Sequence, residues 1–152
     1  MKQSAGILLY RKKNEQLEFF LVHPGGPFFM KKQEGWWTIP KGEIFAGEAP
    51  LDTAIREFKE ETGHEVSAGF IELQPIVQKA GKKVFCWATD SIAVEPENVI
   101  SNTFEIEWPP RSGRMQVFPE IDKAGWFNYD KAAKLINDKQ LSFLDELISL
   151  LK

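Results

Sequence analysis

The chain has 152 residues, 43% hydrophobic and 27% charged, with a net charge of −3. That size and balance suit one soluble domain over residues 1–152, and they lack the basic excess a protein uses to displace counterions from duplex nucleic acid. One cysteine, Cys86, excludes an intrachain disulfide; with no signal peptide and no apolar run near the length of a membrane span, the expected setting is cytoplasmic, away from membranes.

Residues 4–11, rich in Ile7, Leu8, Leu9 and Tyr10, read as a strand. Residues 17–23, LEFFLVH, read as a second, and the polar turn between them predicts a hairpin. Residues 24–35, PGGPFFMKKQEG, hold prolines and adjacent glycines that exclude a regular element. Loops of that length usually serve a function. Phe28 and Phe29 beside Lys31 and Lys32 offer stacking surface and positive charge, suited to a nucleotide base and a phosphate. The plainer reading is phenylalanines tucked into the core and lysines in solvent. Residues 36–39 predict a short strand, and Gly42 lets the chain turn after Pro40 and Lys41.

Pro50 suits the first turn of a helix, and Gly63 suits the left-handed position just past its end. Leu51, Ile55 and Phe58 fall at i, i+4 and i+7 and predict the core face. Glu57, Glu60 and Glu61 fall at i, i+3 and i+4 on another face. Like charges so spaced destabilise a helix by about 0.2–0.5 kcal/mol per pair, part of which Arg56 offsets from four residues before Glu60. One reading is a solvated acidic face. The other is a hard-cation site, because carboxylate oxygens are what Mg²⁺ and Mn²⁺ prefer.

Residues 68–78 and 82–93 predict two strands about a turn at Ala80 and Gly81, with Lys79, Lys82 and Lys83 crowding its tip, an ordinary charged hairpin end or, less commonly, a phosphate contact. Residues 95–98 predict a further turn. Residues 103–108 alternate Phe104, Ile106 and Trp108 with Thr103, Glu105 and Glu107, as a half-buried strand does. The PPRSG segment breaks that strand. Arg111 and Arg114 there have the guanidinium fork that matches phosphate, or they are simply solvated. Trp126 and Phe127 predict a last core strand. Asp130 is expected to cap a helix over residues 131–137. Ser142 is expected to begin a final amphipathic helix carrying Phe143, Leu144, Leu147, Ile148 and Leu151. Strands, one glutamate-bearing helix, more strands and C-terminal helices make the fold class α+β.

The whole pattern decides between the two readings of the acidic face. Gly42, Glu48, Arg56, Glu57, Glu60, Glu61 and Gly63 fit G-x5-E-x7-R-E-U-x-E-E-x-G-U, with U a bulky apolar residue. Seven fixed positions coincide by chance about once in 10⁸ starts at average usage. The stretch resembles the Nudix box. Phe58 fills the first U, whereas His64 departs from the aliphatic residue of the last, which bears on packing more than on catalysis. The preceding WTIPKG resembles the lead-in of the diadenosine-polyphosphate and diphosphoinositol-polyphosphate branches. HPGGPF and EWPPRSG resemble segments of bacterial NTP pyrophosphohydrolases. The tyrosine marker of diadenosine hydrolases and the proline marker of ADP-ribose hydrolases are missing.

The resemblance covers essentially the full chain. It implies a Nudix-type α/β/α sandwich with a mixed β-sheet, and hydrolysis of a nucleoside diphosphate linked to another group, X. A bound cation, Mg²⁺ or Mn²⁺, neutralises phosphate charge and acidifies water, and a carboxylate takes the proton. By resemblance, Glu57, Glu60 and Glu61 ligate the metal, Glu48 is a secondary ligand or water-holder, and the Lys41 carbonyl adds a ligand. The Lys41 side chain reaches a phosphate, with Lys32, Phe28, Arg111 and Arg114 as further substrate contacts. Arg56 orients the glutamates. Glu120, six residues before Trp126, matches a further catalytic glutamate of several family members, with Asp122 as its rival. The general base is Glu57 or Glu120. The substrate is a dinucleoside polyphosphate or an NTP; a mutator-type house-cleaning pyrophosphatase and a non-catalytic nucleotide-sensing module are the alternatives. Homodimers are common in the family, and nothing in the sequence fixes that state here.

Overall fold

The computed structural model describes residues 2–152. Its centre is β1 (Gln3–Lys13), buried without a break from Ser4 to Tyr10. Such a run belongs to a strand covered on both faces. Its far end forms the expected hairpin with β2 (Gln16–Pro24), Tyr10 opposite Phe19. Its near half pairs antiparallel with β3 (Lys41–Glu43) on one edge and parallel with β6 (Lys83–Thr89) on the other. β9 (Ile121–Asn128) adds antiparallel to β2, while β4 (Ile71–Glu72) and β5 (Ile76–Val77) both pair with β6. The result is a mixed seven-stranded sheet.

Alternation along the central strands splits the core in two. Ala5, Ile7, Leu9, Phe20 and Val22 face α1 (Pro50–Thr62), whose Ala54 and Phe58 are fully buried against them. Leu8, Tyr10, Phe19 and Leu21 face the other way. They meet Ala132 and Leu135 of α2 (Tyr129–Leu135) and Phe143, Leu144 and Leu147 of α3 (Leu141–Leu151). Each fully buried large side chain contributes roughly 1.5–3 kcal/mol. This is an α/β/α sandwich, with α1 held on one face by Phe58. A second sheet stands apart: β7 (Thr103–Glu107) and β8 (Met115–Pro119) form a two-stranded arm.

Several expectations are corrected. The core face of α1 is Thr53, Ala54, Phe58 and Thr62, with Leu51 and Ile55 only half-buried at its edge. Small Ala54 lets the helix lie close on β1. Residues 68–78 are not one strand, because Pro75 has no N–H for the ladder, and the pairing divides into β4 and β5 around it. The PPRSG segment does not end the β structure; it is the turn of the arm. β8 went unforeseen because four of its five residues are exposed, which erases the alternation. Residues 36–39 make only isolated bridges, Thr38 to Val22 and Trp37 to Ile136. The cap of α2 is Asn128, which accepts from the Lys131 amide at 3.0 Å; Asp130 sits in the first turn, where a carboxylate suits the helix dipole. α3 begins at Leu141, after a single 3-10 turn.

Candidate active site

The site is built where β3 meets α1. Gly63 ends the helix in the left-handed conformation, with φ 81°, and its amide donates to the Lys59 carbonyl. His64 makes a surface bond, Nε2 to the Asn98 carbonyl at 3.1 Å, and Val66 two residues on is buried. The helix therefore ends on the turn at Asn98 without an aliphatic residue at position 64.

Arg56 organises the acids. Its Nε and Nη2 fork onto Glu48 at 2.8 and 3.0 Å, and Nη1 donates to Glu57 at 2.8 Å and to Glu60 at 2.5 Å. Nη2 also donates to the Glu43 carbonyl at 3.1 Å, and the Phe45 ring lies 4.1 Å from the guanidinium. One planar cation thus ties the loop, the helix and β3 together. Glu48 also accepts from Thr53 Oγ1 at 2.7 Å. Those bonds, Arg56 first and Thr53 second, hold the Glu48 carboxyl down at about 2.

The other carboxylates go the opposite way. Burial first, then Glu60 beside it, pushes Glu57 up to about 7 despite Arg56. Burial, then repulsion from Glu57, pushes Glu61 up to about 8, against the opposing pull of Lys41. Glu61 Oε1 accepts from the Lys41 amide at 3.3 Å. Lys41 is lowered to about 8, by burial and then by the facing charge of Lys82. Glu120 is raised by burial and by Glu60. Its backbone enters the site through a short relay: the Asn102 amide donates to the Glu60 carbonyl at 2.7 Å, and the Glu120 amide to the Asn102 carbonyl at 2.8 Å. Asp122, the rival acid, is turned away and engages His23.

The structure thus brings together Lys41, Glu48, Arg56, Glu57, Glu60, Glu61 and Glu120. Phe28 and Lys32 lie on the loop of residues 24–35, and Arg111 and Arg114 at the turn of the arm. Phe28 is 56% exposed on its loop, edge-on to Trp108 of the arm at 5.2 Å between ring centres. Lys32 lies over the Trp36 ring. Arg111 and Arg114 sit at the tip of the arm, whose root adjoins Glu120; five residues of strand put them roughly 17 Å away. Phe45 and Thr53 are parts of this region that the sequence does not single out, and Lys82, one of the three lysines at the Ala80–Gly81 turn, stands beside Lys41. Thr53 is legible in hindsight as a hydroxyl one turn before Glu57, whereas Lys82 reaches Lys41 only through the pairing of β6 with β1.

Could these residues hold a divalent cation? The donors are hard oxygens, and Glu57 and Glu61 repel each other in a way a cation would relieve. Among the described residues no three Asp, Glu, His or Cys side chains are arranged to hold a metal ion. Arg56 instead bridges Glu48, Glu57 and Glu60. A cation held by Glu57, Glu60 and Glu61 would have to share Glu57 and Glu60 with Arg56.

The bis(5'-nucleosyl)-tetraphosphatase [asymmetrical] of Rattus norvegicus is 30% identical over 100 residues, covering 58% of this chain and 64% of that protein. The solved structure of a C. elegans Ap4A hydrolase binary complex superposes with a TM-score of 0.67 at 23% identity, covering 99% of this chain and 98% of that one. The NUDIX domain of Shewanella oneidensis NrtR complexed with ADP ribose superposes with a TM-score of 0.64 at 16% identity, covering 99% of this chain and 88% of that one. The family model described as NUDIX domain matches residues 1–147. With that match over nearly its whole length, the chain belongs to the NUDIX domain family.

Proposed function

We propose that this protein is a hydrolase of phosphoanhydride bonds in nucleoside diphosphates linked to X, with dinucleoside polyphosphates as its substrate class. The observation that carries the reading is the opposed pair on α1: Glu57 and Glu61, both held above the usual carboxylate range, beside the half-buried ammonium of Lys41. Such a site welcomes both a divalent cation and the phosphate charge that accompanies it. Mg²⁺ or Mn²⁺, held by Glu57, Glu60, Glu61 and the Lys41 carbonyl, supplies charge neutralisation and Lewis acidity.

The chain's own residues do the rest. Arg56 fixes the rotamers of Glu48, Glu57 and Glu60, so the ligands are preorganised. Lys41, with Lys82 beside it, takes the phosphate negative charge. The proton of the attacking water goes to Glu57 or Glu120, carboxylates already biased toward the protonated form. Similarity to the rat tetraphosphatase favours an elongated substrate, and so does the arm. Phe28 and Trp108 offer aromatic surface for a base, and Arg111 and Arg114 offer cations for phosphate.

The test is product analysis with Mg²⁺ on diadenosine polyphosphates, ADP-ribose, NTPs and a diphosphoinositol polyphosphate, with Glu60→Gln alongside. Diadenosine tetraphosphate split to ATP and AMP, and lost in the variant, supports the reading. Pyrophosphate and NMP released from a single NTP would move the assignment to a house-cleaning pyrophosphatase. Tight binding without turnover of any member would make the protein a sensing module.

A further inference from the structure

Three segments meet at His23, which is fully buried at the end of β2. Its Nδ1 lies 2.7 Å from Asp122 Oδ1, and its Nε2 lies 2.5 Å from the Lys32 carbonyl. The ring thus bridges two oxygens, the Asp122 carboxylate on one side and the Lys32 carbonyl on the other. The Trp37 ring packs 5.5 Å away and helps fix the imidazole plane.

The sheet is built to allow this. Along β2 and β9 the register runs His23 opposite Lys123 and then Pro24 opposite Ile121. Asp122 is the residue skipped, the extra one in a bulge. A bulge re-aims a side chain that regular pleating would send elsewhere. Here it turns the Asp122 carboxylate onto His23.

Both arms of the contact converge on Glu120. Asp122 is two residues beyond it. On the loop side, the Gly25 amide donates to the Glu120 carbonyl at 2.8 Å. The approach there is so close that a Cβ on Gly25 would stand 2.0 Å from the Pro119 carbonyl oxygen. The loop of residues 24–35 and the junction between β8 and β9 therefore rest on each other, and His23 is bonded to both.

We propose that His23 is a positioning residue: it clamps the loop of residues 24–35 to the Asp122 bulge and so fixes the approach of Glu120 to the carboxylates of α1. The catalytic consequence rests on the hydrolase reading above, whereas the clamp itself does not. His23 touches no reacting group; it acts through Glu120.

Asp122 has a 29% exposed side chain, so Asp122→Ala opens the clamp from its solvent side and keeps the fold. His23→Phe opens it from within. In hydrogen exchange, the Gly25 amide should exchange about tenfold faster in Asp122→Ala, the equivalent of one lost hydrogen bond. This readout needs no activity; unchanged exchange would overturn the clamp whether or not the protein is a hydrolase. On a substrate identified as above, Asp122→Ala should lower kcat about tenfold with KM within about twofold. In a Glu120→Gln background the same substitution should have less than about a twofold effect, because the residue it acts through is already disabled. Full additivity of the two substitutions would overturn the action through Glu120, even with the clamp intact.

Discussion

Gly42 leaves room for the Glu57 carboxylate against its own backbone: a Cβ placed on Gly42 would stand 1.9 Å from Glu57 Oε1. The glutamate lies flat on the backbone of β3. Any side chain at position 42 would evict the carboxylate and not the strand, because the atom that must move is the far end of a flexible side chain. Gly42→Ala should therefore leave stability within about 1 kcal/mol of the parent while lowering turnover and cation affinity roughly 10–100-fold. Calorimetric titration with Mn²⁺ beside a thermal melt measures both. A variant that melts normally and binds the cation normally would show that Glu57 does not need this seat.

Arg56 makes five hydrogen bonds at once: two to Glu48, one each to Glu57 and Glu60, and one to the Glu43 carbonyl. A lysine carries the same charge but not the planar fork. Arg56→Lys should cost about 1–3 kcal/mol, since several carboxylate oxygens lose their donors together. Urea unfolding gives the number. Added Mg²⁺ should recover part of it, because a cation shared by Glu57 and Glu60 replaces the missing positive charge.

How much of this was legible in the chain depends on the range of the contact. The box spacing placed Glu57, Glu60 and Glu61 together on α1 because helical geometry is local. The hairpin of β1 and β2 was legible for the same reason. The arm was half legible: Phe104, Ile106 and Trp108 alternate, but Met115–Pro119 is exposed and carries no pattern. Lys82 beside Lys41, and Asp122 turned onto His23, depend on strand register and on a bulge. No local signal in a sequence encodes those. The core face of α1 was misread because Ala54 and Thr53 are buried by close approach to β1, whereas hydrophobic periodicity favours the larger Leu51 and Ile55.

The raised carboxylates predict a pH dependence of stability in cation-free protein. Glu57 and Glu61 titrate near 7 and 8 in the folded state, against an ordinary 4.5. A raised acid favours the protonated folded form, so its stabilising contribution is full below about 4.5 and is lost as pH rises through 7 to 8. Glu48, lowered to about 2, has the opposite sign: its contribution is present above 4.5 and lost as pH falls through 2. Lys41, lowered to about 8, adds stability as pH rises from about 8 toward 10.5 and so opposes the decline only at its upper end. Melts in EDTA should therefore decline from about pH 5 to pH 8, and Mg²⁺ should raise stability more at the upper end. A Glu57→Gln, Glu61→Gln double variant should flatten the decline; a decline that persists unchanged would assign it to other groups.

Gln140 supports the site from the opposite layer of the sandwich. It is 1% exposed, its Oε1 accepts from the Ile39 amide at 3.0 Å, and its Nε2 donates to Thr38 Oγ1 at 2.9 Å. Those two residues lead directly into Pro40 and Lys41, and the Pro40 carbonyl is itself held by the Ile7 amide at 3.1 Å. Gln140→Leu preserves bulk but orphans the buried Ile39 amide, which should cost about 1–3 kcal/mol. Loosening that segment displaces Lys41 more than the carboxylates of α1, so KM should rise more than kcat falls. Gln140→Glu keeps the acceptor for Ile39 and loses the donor to Thr38, and should fall between the parent and the leucine variant. A leucine variant with the parent's melting curve and KM would mean that the segment holds its place through its bridges to Val22 and Ile136 alone.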